Sequence, residues 1–130
     1  MTHPAEEAVR KVNLGEALAE ITEHWRPRVV GALNGQELKV VKFQGELVWH
    51  HHEHEDELFL GVKGHFRLEF RDRSVDIGPG DFIIVPRGVE HRPVAEEEVE
   101  VVLFEPANTR NTGSVVHERL TAPESLTSDN

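Results

Sequence analysis

Short strand-like segments separated by turn-forming residues run through most of this chain. The segments are RVVGAL, ELKVVKF, ELVWHH, ELFLGVK, HFRLEF, SVDI, DFIIV and EVEVVLFE. Asn34-Gly35 joins the first two, and this dipeptide between alternating runs is typical of a β-hairpin. The acidic run Glu96–Glu98 is predicted as a further hairpin turn. Many short strands without a helix-sized pattern between them predict an all-β sandwich or barrel and disfavour a parallel βαβ sheet.

The chain divides into three segments around one predicted domain. Its 130 residues are enough for a single core. The N-terminal segment, residues 1–27, contains a short amphipathic helix or turn between Asn13 and Trp25. The β-barrel is predicted over residues 28–106. The apolar alternation stops after Pro106, so residues 107–130 are expected to form an irregular, polar C-terminal tail.

The segment ELFLGVK carries apolar side chains on both of its faces. Leu58, Leu60 and Val62 alternate on one face, and Phe59 lies on the other. A strand that is buried on both sides implies a filled barrel interior and a covered outer face. Either a second sheet or a partner subunit would supply that cover.

Composition and charge exclude several classes of function. The chain has no cysteine, which excludes disulfides, thiolate nucleophiles and cysteine-ligated metal sites. Its formal net charge is -10, with 24 acidic and 14 basic residues, and such a chain repels nucleic acid. No apolar stretch approaches the roughly 20 residues that span a bilayer. The N-terminal residues lack the order of a signal peptide, which predicts a cytoplasmic protein.

Four histidines and four acidic residues are interleaved in the stretch WHHHEHEDE. On a strand, His50 and His52 point to the same side, because alternate residues share a face. Glu57 begins the next strand, and an antiparallel return would bring it beside them. Two imidazoles and one carboxylate are a ligand set for a first-row divalent metal.

A further histidine, His91, follows the apolar run FIIV and the tight turn at Pro86–Gly88. A histidine just past such a turn can point into the mouth of a barrel. His50, His52, Glu57 and His91 would then form a site of four nitrogen and oxygen ligands. An octahedral metal held in this way keeps two positions open for water or substrate.

Two sets of residues with characteristic spacing carry a family resemblance. The first set is His50-x-His52, four residues, Glu57, six residues and Gly64, and the second is Gly80, five residues, Pro86-x-Gly88, two residues and His91. Over about residues 38 to 105, the chain resembles the small single-domain cupins, mannose-6-phosphate isomerase-like conserved barrel proteins. Two positions depart from the family pattern: Gly45 is one residue too close to His50, and Ala95 replaces an asparagine.

The resemblance implies a cupin jelly roll in which three histidines and one glutamate hold one divalent transition metal per chain. Nitrogen and oxygen ligands admit manganese, iron, cobalt, nickel, copper and zinc. The resemblance also implies a homodimer and a small-molecule ligand, but family function is broad. Isomerase, dioxygenase and decarboxylase activities are open to a small polar or anionic metabolite, and a non-catalytic binding or sensor protein is the alternative. A third hypothesis is a metal-free structural barrel whose polar cluster is satisfied by hydrogen bonds.

Three residues are candidates for the surroundings of the site. Phe59 shares the face of Glu57 and is predicted to form a pocket wall. Glu46 and His65 are candidate general bases, on the condition that their strands direct them towards the barrel mouth. His51 and His54 are interpreted as parts of a solvated loop rather than as a second metal site.

Overall fold

The computed structural model describes residues 9–113, 115 and 121. These residues form one short helix and seven strands, which confirms the predicted all-β class. The elements are α1 (Leu14–Ala19), β1 (Arg28–Leu33), β2 (Gln36–Glu46), β3 (Glu57–Lys63), β4 (Phe66–Phe70), β5 (Ser74–Ile77), β6 (Phe82–Val85) and β7 (His91–Pro106). The described residues contain no helix that is long and apolar enough to cross a membrane.

The long strand β7 organises the sheet. All strand pairs are antiparallel, and the main path through the sheet is β1-β2-β7-β3-β6. β4 pairs with the first residues of β7 and with β5, whereas β3 pairs with the second half of β7. The sheet therefore folds over on itself along β7 and encloses an apolar interior, as a jelly roll does.

The predicted hairpin at Asn34-Gly35 is confirmed. Leu33 and Gln36 are paired residues of β1 and β2, so the turn between them has two residues. Asn34 and Gly35 have φ angles of 52° and 76°, the left-handed conformations that a type I′ turn requires.

The prediction of a hairpin turn at Glu96–Glu98 is wrong. These residues lie within β7, which continues from His91 to Pro106. Opposite them, the register with β2 shifts between Phe43 and Gly45, so the acidic run forms an irregularity in the ladder rather than a chain reversal. A bulge of this kind bends a strand and lets it pair with different neighbours at its two ends.

The outer face of the sheet is partly covered by the N-terminal helix. Asn13 caps α1 by accepting a hydrogen bond from the backbone N–H of Glu16 at 2.9 Å. The outer cluster consists of Leu18, Ile21, Val30, Val40 and Val102, with Leu14, Ala17, Leu38, Leu60 and Val62 packed against it. Over this region, α1 of the same chain supplies the cover that was expected from a second sheet or a partner subunit.

Residues 107–113, here called the closing segment, pack against the barrel although their sequence is polar. Thr109 and Thr112 are buried, and Asn111 Nδ2 donates a hydrogen bond to the Trp25 carbonyl at 3.3 Å. The predicted irregular structure is confirmed for this part of residues 107–130, but the polar side chains of Thr109 and Thr112 lie against the barrel rather than in solvent. Most of the predicted tail beyond Gly113 lies outside the described residues.

Candidate metal centre

The structure brings together four side chains that are distant in sequence. One ligand atom from each of them lies within 4.8 Å of the corresponding atoms of the others, and the four residues are His50, His52, Glu57 and His91. Each of these residues is at most 3% exposed. Three imidazoles and one carboxylate in this arrangement could hold a metal ion.

The ligand-bearing segments meet through backbone pairing and turns. His50 and His91 form an isolated bridge, with N–H to carbonyl distances of 3.1 and 2.9 Å in the two directions. Gly88, in the turn before His91, donates its N–H to the His52 carbonyl at 2.8 Å. Glu57 begins β3, which places its side chain at the same end of the barrel.

The route by which Glu57 reaches the histidines differs from the prediction. β2 ends at Glu46, so ELVWHH is an extended connection with one bridge rather than a strand. β3 pairs with β6 and β7, not with residues 47–52 as an antiparallel return would require. His50 and His52 nevertheless point to the same interior, because an extended backbone also alternates its side chains.

Backbone carbonyls determine which nitrogen of two imidazoles carries a proton. Nδ1 of His50 lies 2.9 Å from the Val48 carbonyl oxygen, and Nδ1 of His91 lies 2.8 Å from that of Val89. A carbonyl oxygen only accepts hydrogen bonds, so each Nδ1 is the protonated nitrogen. In the neutral ring of His50, Nε2 then presents a lone pair towards the centre, as a metal ligand does. Nε2 of His91 lies within hydrogen-bond distance of Glu57 Oε1.

Three of the ring nitrogens at the centre lack hydrogen-bond partners among the described residues, which fits the presence of a cation. These nitrogens are Nε2 of His50 and both ring nitrogens of His52, and all three are buried. Glu57 Oε1 lies 3.2 Å from His52 Nε2 and 3.3 Å from His91 Nε2. Metal bonds to nitrogen and oxygen are about 2.0–2.2 Å long, so neighbouring donors of an octahedral ion lie about 3 Å apart and opposite donors about 4.2 Å apart. The observed spacing is close to that requirement.

Burial and mutual repulsion favour the neutral form of His50. Burial, together with the neighbouring His91, lowers the pKa of His50 from 6.5 to about 4. For Glu57, burial alone would raise the pKa, but the contacts with His52 and His91 outweigh it and hold the pKa well below its ordinary value. At neutral pH, His50 is thus a neutral imidazole and Glu57 a carboxylate, the forms that bind metals.

The low pKa of His50 predicts a pH-dependent stability of the metal-free protein. A buried histidine that stays neutral while the unfolded chain takes up a proton stabilises the fold above pH 6.5. This contribution is lost as the pH falls from 6.5 towards 4. Between pH 7 and pH 5, we expect this residue to account for about 2 kcal/mol of lost unfolding free energy. Urea denaturation in the presence of a chelator measures it.

His50→Asn is the matched variant for this measurement. Its amide nitrogen can take the place of Nδ1 and donate to the Val48 carbonyl, but it does not titrate. Wild type should lose about 2 kcal/mol more than His50→Asn between the two pH values. Equal losses in the two proteins would show that His50 does not titrate with a depressed pKa.

Of the three residues predicted to surround the site, Phe59 lies beside the cluster, whereas Glu46 and His65 lie at the surface away from it. Phe59 is buried, and its ring centroid lies 6.0 Å from that of His91, so it forms a wall beside the four residues. Glu46 is exposed at the end of β2 and lies 3.6 Å from Arg92. His65 is exposed and adjoins Gly78, which contacts Gly61 at the far end of β3 from Glu57. Neither Glu46 nor His65 is brought to the centre.

His51 and His54 lie outside the cluster. The side chain of His51 is 35% exposed and that of His54 is 85% exposed, and each lies 3.9 Å from a carboxylate oxygen of Glu53. The four clustered residues are the only group of metal-ligating side chains found among the residues that the structure describes. This placement fits the interpretation of a solvated loop.

Two buried charged residues near the centre were missed by the sequence analysis. Lys39 and Glu105 lie on the inward faces of β2 and β7, and the Lys39 Nζ to Glu105 Oε1 distance is 2.9 Å. Burial, followed by the charge of Glu57, raises the pKa of Glu105 well above its ordinary value. The signal was available in the alternation, since Lys39 shares its face with the apolar Val41 and Phe43.

The antiparallel jelly roll and its buried cluster of three histidines and one glutamate place this protein among the β-barrels whose interior can hold a metal ion. The chain belongs to the cupin family, because the model of the cupin domain matches residues 38–105. The two spaced motifs lie within the matched residues, and the predicted small single-domain cupin is confirmed.

Three proteins illustrate the relationship. The uncharacterised protein YdbB of Bacillus subtilis is 30% identical over 81 residues, which cover 62% of this chain and 72% of that protein. The crystal structure of a cupin-2 domain containing protein from Shewanella frigidimarina has a TM-score of 0.72 and 37% identity, covering 73% of this chain and 93% of that one. A protein structure from Neisseria meningitidis gives a TM-score of 0.69 and 33% identity, covering 75% and 100% of the two chains.

Proposed function

We propose that this protein is a metal-dependent cupin that binds one divalent transition metal per chain through His50, His52, Glu57 and His91. The observation that carries the proposal is the buried convergence of their four ligand atoms within 4.8 Å of one another. The ring nitrogens of His52 and Nε2 of His50 have no hydrogen-bond partner among the described residues. Manganese, iron, cobalt, nickel, copper and zinc all accept this ligand set. A bound ion acts as a Lewis acid that polarises an oxygen of its ligand.

Four protein ligands leave two positions of an octahedral ion for a small polar or anionic metabolite. The surroundings favour a small ligand, because the four side chains are nearly inaccessible and Phe59 closes one side of the cluster. The reactions that such a site supports are isomerisation, dioxygenation and decarboxylation. Dioxygenation requires a redox-active metal such as iron, whereas the other two can use the metal as a Lewis acid. A metal with no redox chemistry, such as zinc, would leave the non-redox reactions.

The second candidate is a non-catalytic protein that binds or senses a small molecule through the metal. It is favoured by the positions of Glu46 and His65, the two candidate general bases. Glu46 forms a surface ion pair with Arg92, and His65 is exposed at another part of the barrel. Isomerisation needs a base within hydrogen-bond reach of the substrate, which neither residue supplies.

Elemental mass spectrometry on untagged protein tests the proposal. We expect close to one equivalent of metal per chain, either as purified or after incubation with the six candidate ions. Titration of the Co²⁺-loaded protein with azide then tests for open coordination positions, since an added anion changes the visible spectrum of the ion. Absence of metal after all incubations would refute the site. A spectrum that does not respond to azide would indicate a closed, structural metal.

We also propose that the protein forms a homodimer. β6 is an edge strand, and two of its outward side chains, Phe82 and Ile84, are 63% and 54% exposed. They are paired across the ladder with the half-buried Leu60 and Leu58, so the exposed apolar side chains lie along β6 itself. Such an area is typical of a protein interface. Sedimentation equilibrium should give twice the chain mass of 14.7 kDa, and a mass of one chain would refute the dimer.

The cytoplasmic location stays a prediction from the sequence.

A further inference from the structure

A lysine in the barrel interior connects two parts of the candidate metal centre. Lys39 is 7% exposed, and its Nζ donates hydrogen bonds to Glu105 Oε1 at 2.9 Å and to the Thr109 carbonyl oxygen at 3.2 Å. Lysine is almost never buried unless it is paired. The two hydrogen bonds of the buried Lys39 Nζ therefore link two separate segments of the chain, the end of β7 and residues 107–113.

The first segment that Lys39 contacts is the end of β7, next to the proposed ligand Glu57. Leu58 pairs with Phe104 in the ladder between β3 and β7, so the following inward pair is Glu57 and Glu105. Both carboxyl groups are buried, and Glu105 Oε2 has no hydrogen-bond partner among the described residues. The hydrogen bond from Lys39 to Oε1 therefore fixes the carboxyl group that stands across from Glu57.

The second segment that Lys39 contacts is the closing segment, residues 107–113. Thr109 lies near its start, and Gly113 at its end packs so closely on the ligand-bearing connection that a side chain there would overlap the His51 carbonyl. The same Cβ would also lie 3.3 Å from Cδ2 of the His50 ring. The closing segment thus bears directly on His50, and Lys39 holds its other end.

We propose that Lys39 is a positioning residue of the metal centre, which holds Glu105 against Glu57 and anchors the closing segment over His50. This inference rests on the proposed metal function. Groups that orient metal ligands from the outer shell affect metal affinity about 10- to 100-fold. A lysine that acts on the carboxylate side and on the histidine side at once is expected to lie in that range.

Lys39→Met is the test variant, and Lys42→Met is its matched control. Lys42 lies on the same strand but on the opposite face, and its Nζ donates to the Ile21 carbonyl at 3.1 Å. Both variants remove one ammonium group and one hydrogen bond to a backbone carbonyl. We expect Lys39→Met to lower the affinity for Co²⁺, measured by competition with a chelator, about 10- to 100-fold. The visible spectrum of the bound Co²⁺ should also change, whereas Lys42→Met should retain both properties.

A double variant separates positioning from simple compensation of a buried charge. Lys39→Met leaves Glu105 buried without its partner, which alone destabilises a fold, whereas removing both partners together can be nearly neutral. We expect Lys39→Met/Glu105→Leu to recover thermal stability but not Co²⁺ affinity or the wild-type spectrum. Because the double variant removes the buried charge, it provides the measurement even where the single variant fails to fold.

The outcomes are distinct. Recovery of affinity and spectrum in the double variant would overturn the inference, because Lys39 would then only compensate a buried charge. Equal Co²⁺ affinity in wild type and Lys39→Met would overturn it while leaving the proposed metal function intact. Failure of the wild-type protein to bind Co²⁺ or any other candidate ion would overturn both.

Discussion

Replacement of His91 by alanine is expected to abolish metal binding. His91 is completely buried, its Nε2 lies 3.3 Å from Glu57 Oε1, and its ring centroid lies 4.4 Å from that of His50. Removing an outer-shell partner of a metal site weakens affinity about 10- to 100-fold, and removing a ligand should exceed the upper end of that range. Elemental analysis should find close to one equivalent in wild type and almost none in His91→Ala.

The control for this prediction is His51→Ala. It removes an imidazole from the same histidine-rich stretch, but from a side chain that is partly exposed and lies near Glu53 rather than the cluster. We expect it to retain one equivalent of metal. Metal at 100 times its dissociation constant should stabilise wild type and His51→Ala by about 2.7 kcal/mol and leave His91→Ala unaffected. A full equivalent in His91→Ala would show that His91 is not a ligand.

Alternation along strands was a reliable guide where one face is apolar. It predicted the shared face of Phe59 and Glu57, and both residues are buried in the structure. A barrel interior excludes polar groups strongly enough for this pattern to determine which side faces inward. The sequence motifs added what alternation lacks, namely which distant residues meet in space.

Contacts between distant segments could not be predicted in the same way. Leu60 and Val62 showed that an outer face is covered, but the pattern of one strand does not specify that α1 supplies the cover. The polar composition of the closing segment predicted an irregular tail, but it did not reveal that Thr109 and Thr112 are buried. Hydrogen bonds formed on folding satisfy such groups, and composition alone does not reveal their partners.

The buried Lys39 and Glu105 were missed for a related reason. Charged residues are usually exposed, so a single lysine or glutamate in a strand is assigned to the solvent face by default. The pairing of β2 with β7 brings these two residues close enough for a hydrogen bond of 2.9 Å, and only this pairing makes their burial tolerable. Sequence alternation can indicate which side chains of β2 share a face, but not the register that joins them to β7.

Replacement of Gly113 by alanine is expected to displace the closing segment from the metal centre. Gly113 has a φ of +59°, and a Cβ at this position would overlap the His51 carbonyl oxygen and lie 2.9 Å from the carbonyl carbon. Both neighbours are backbone atoms, so a side-chain rotation cannot relieve the overlap. The segment must shift instead, which removes its support from the His50 side of the cluster.

Gly80→Ala is the control for Gly113→Ala, because the two changes share only one of their effects. Gly80 has a φ of +86° but nothing within 4 Å of the added Cβ. The left-handed backbone should destabilise both variants by about 1–2 kcal/mol. Overlap should add about 1–3 kcal/mol in Gly113→Ala alone, unless the segment detaches. In either case Co²⁺ affinity should fall at least about tenfold in Gly113→Ala and stay unchanged in Gly80→Ala. Wild-type affinity in Gly113→Ala would mean that the four ligands hold their arrangement without the closing segment, and that the barrel alone organises the centre.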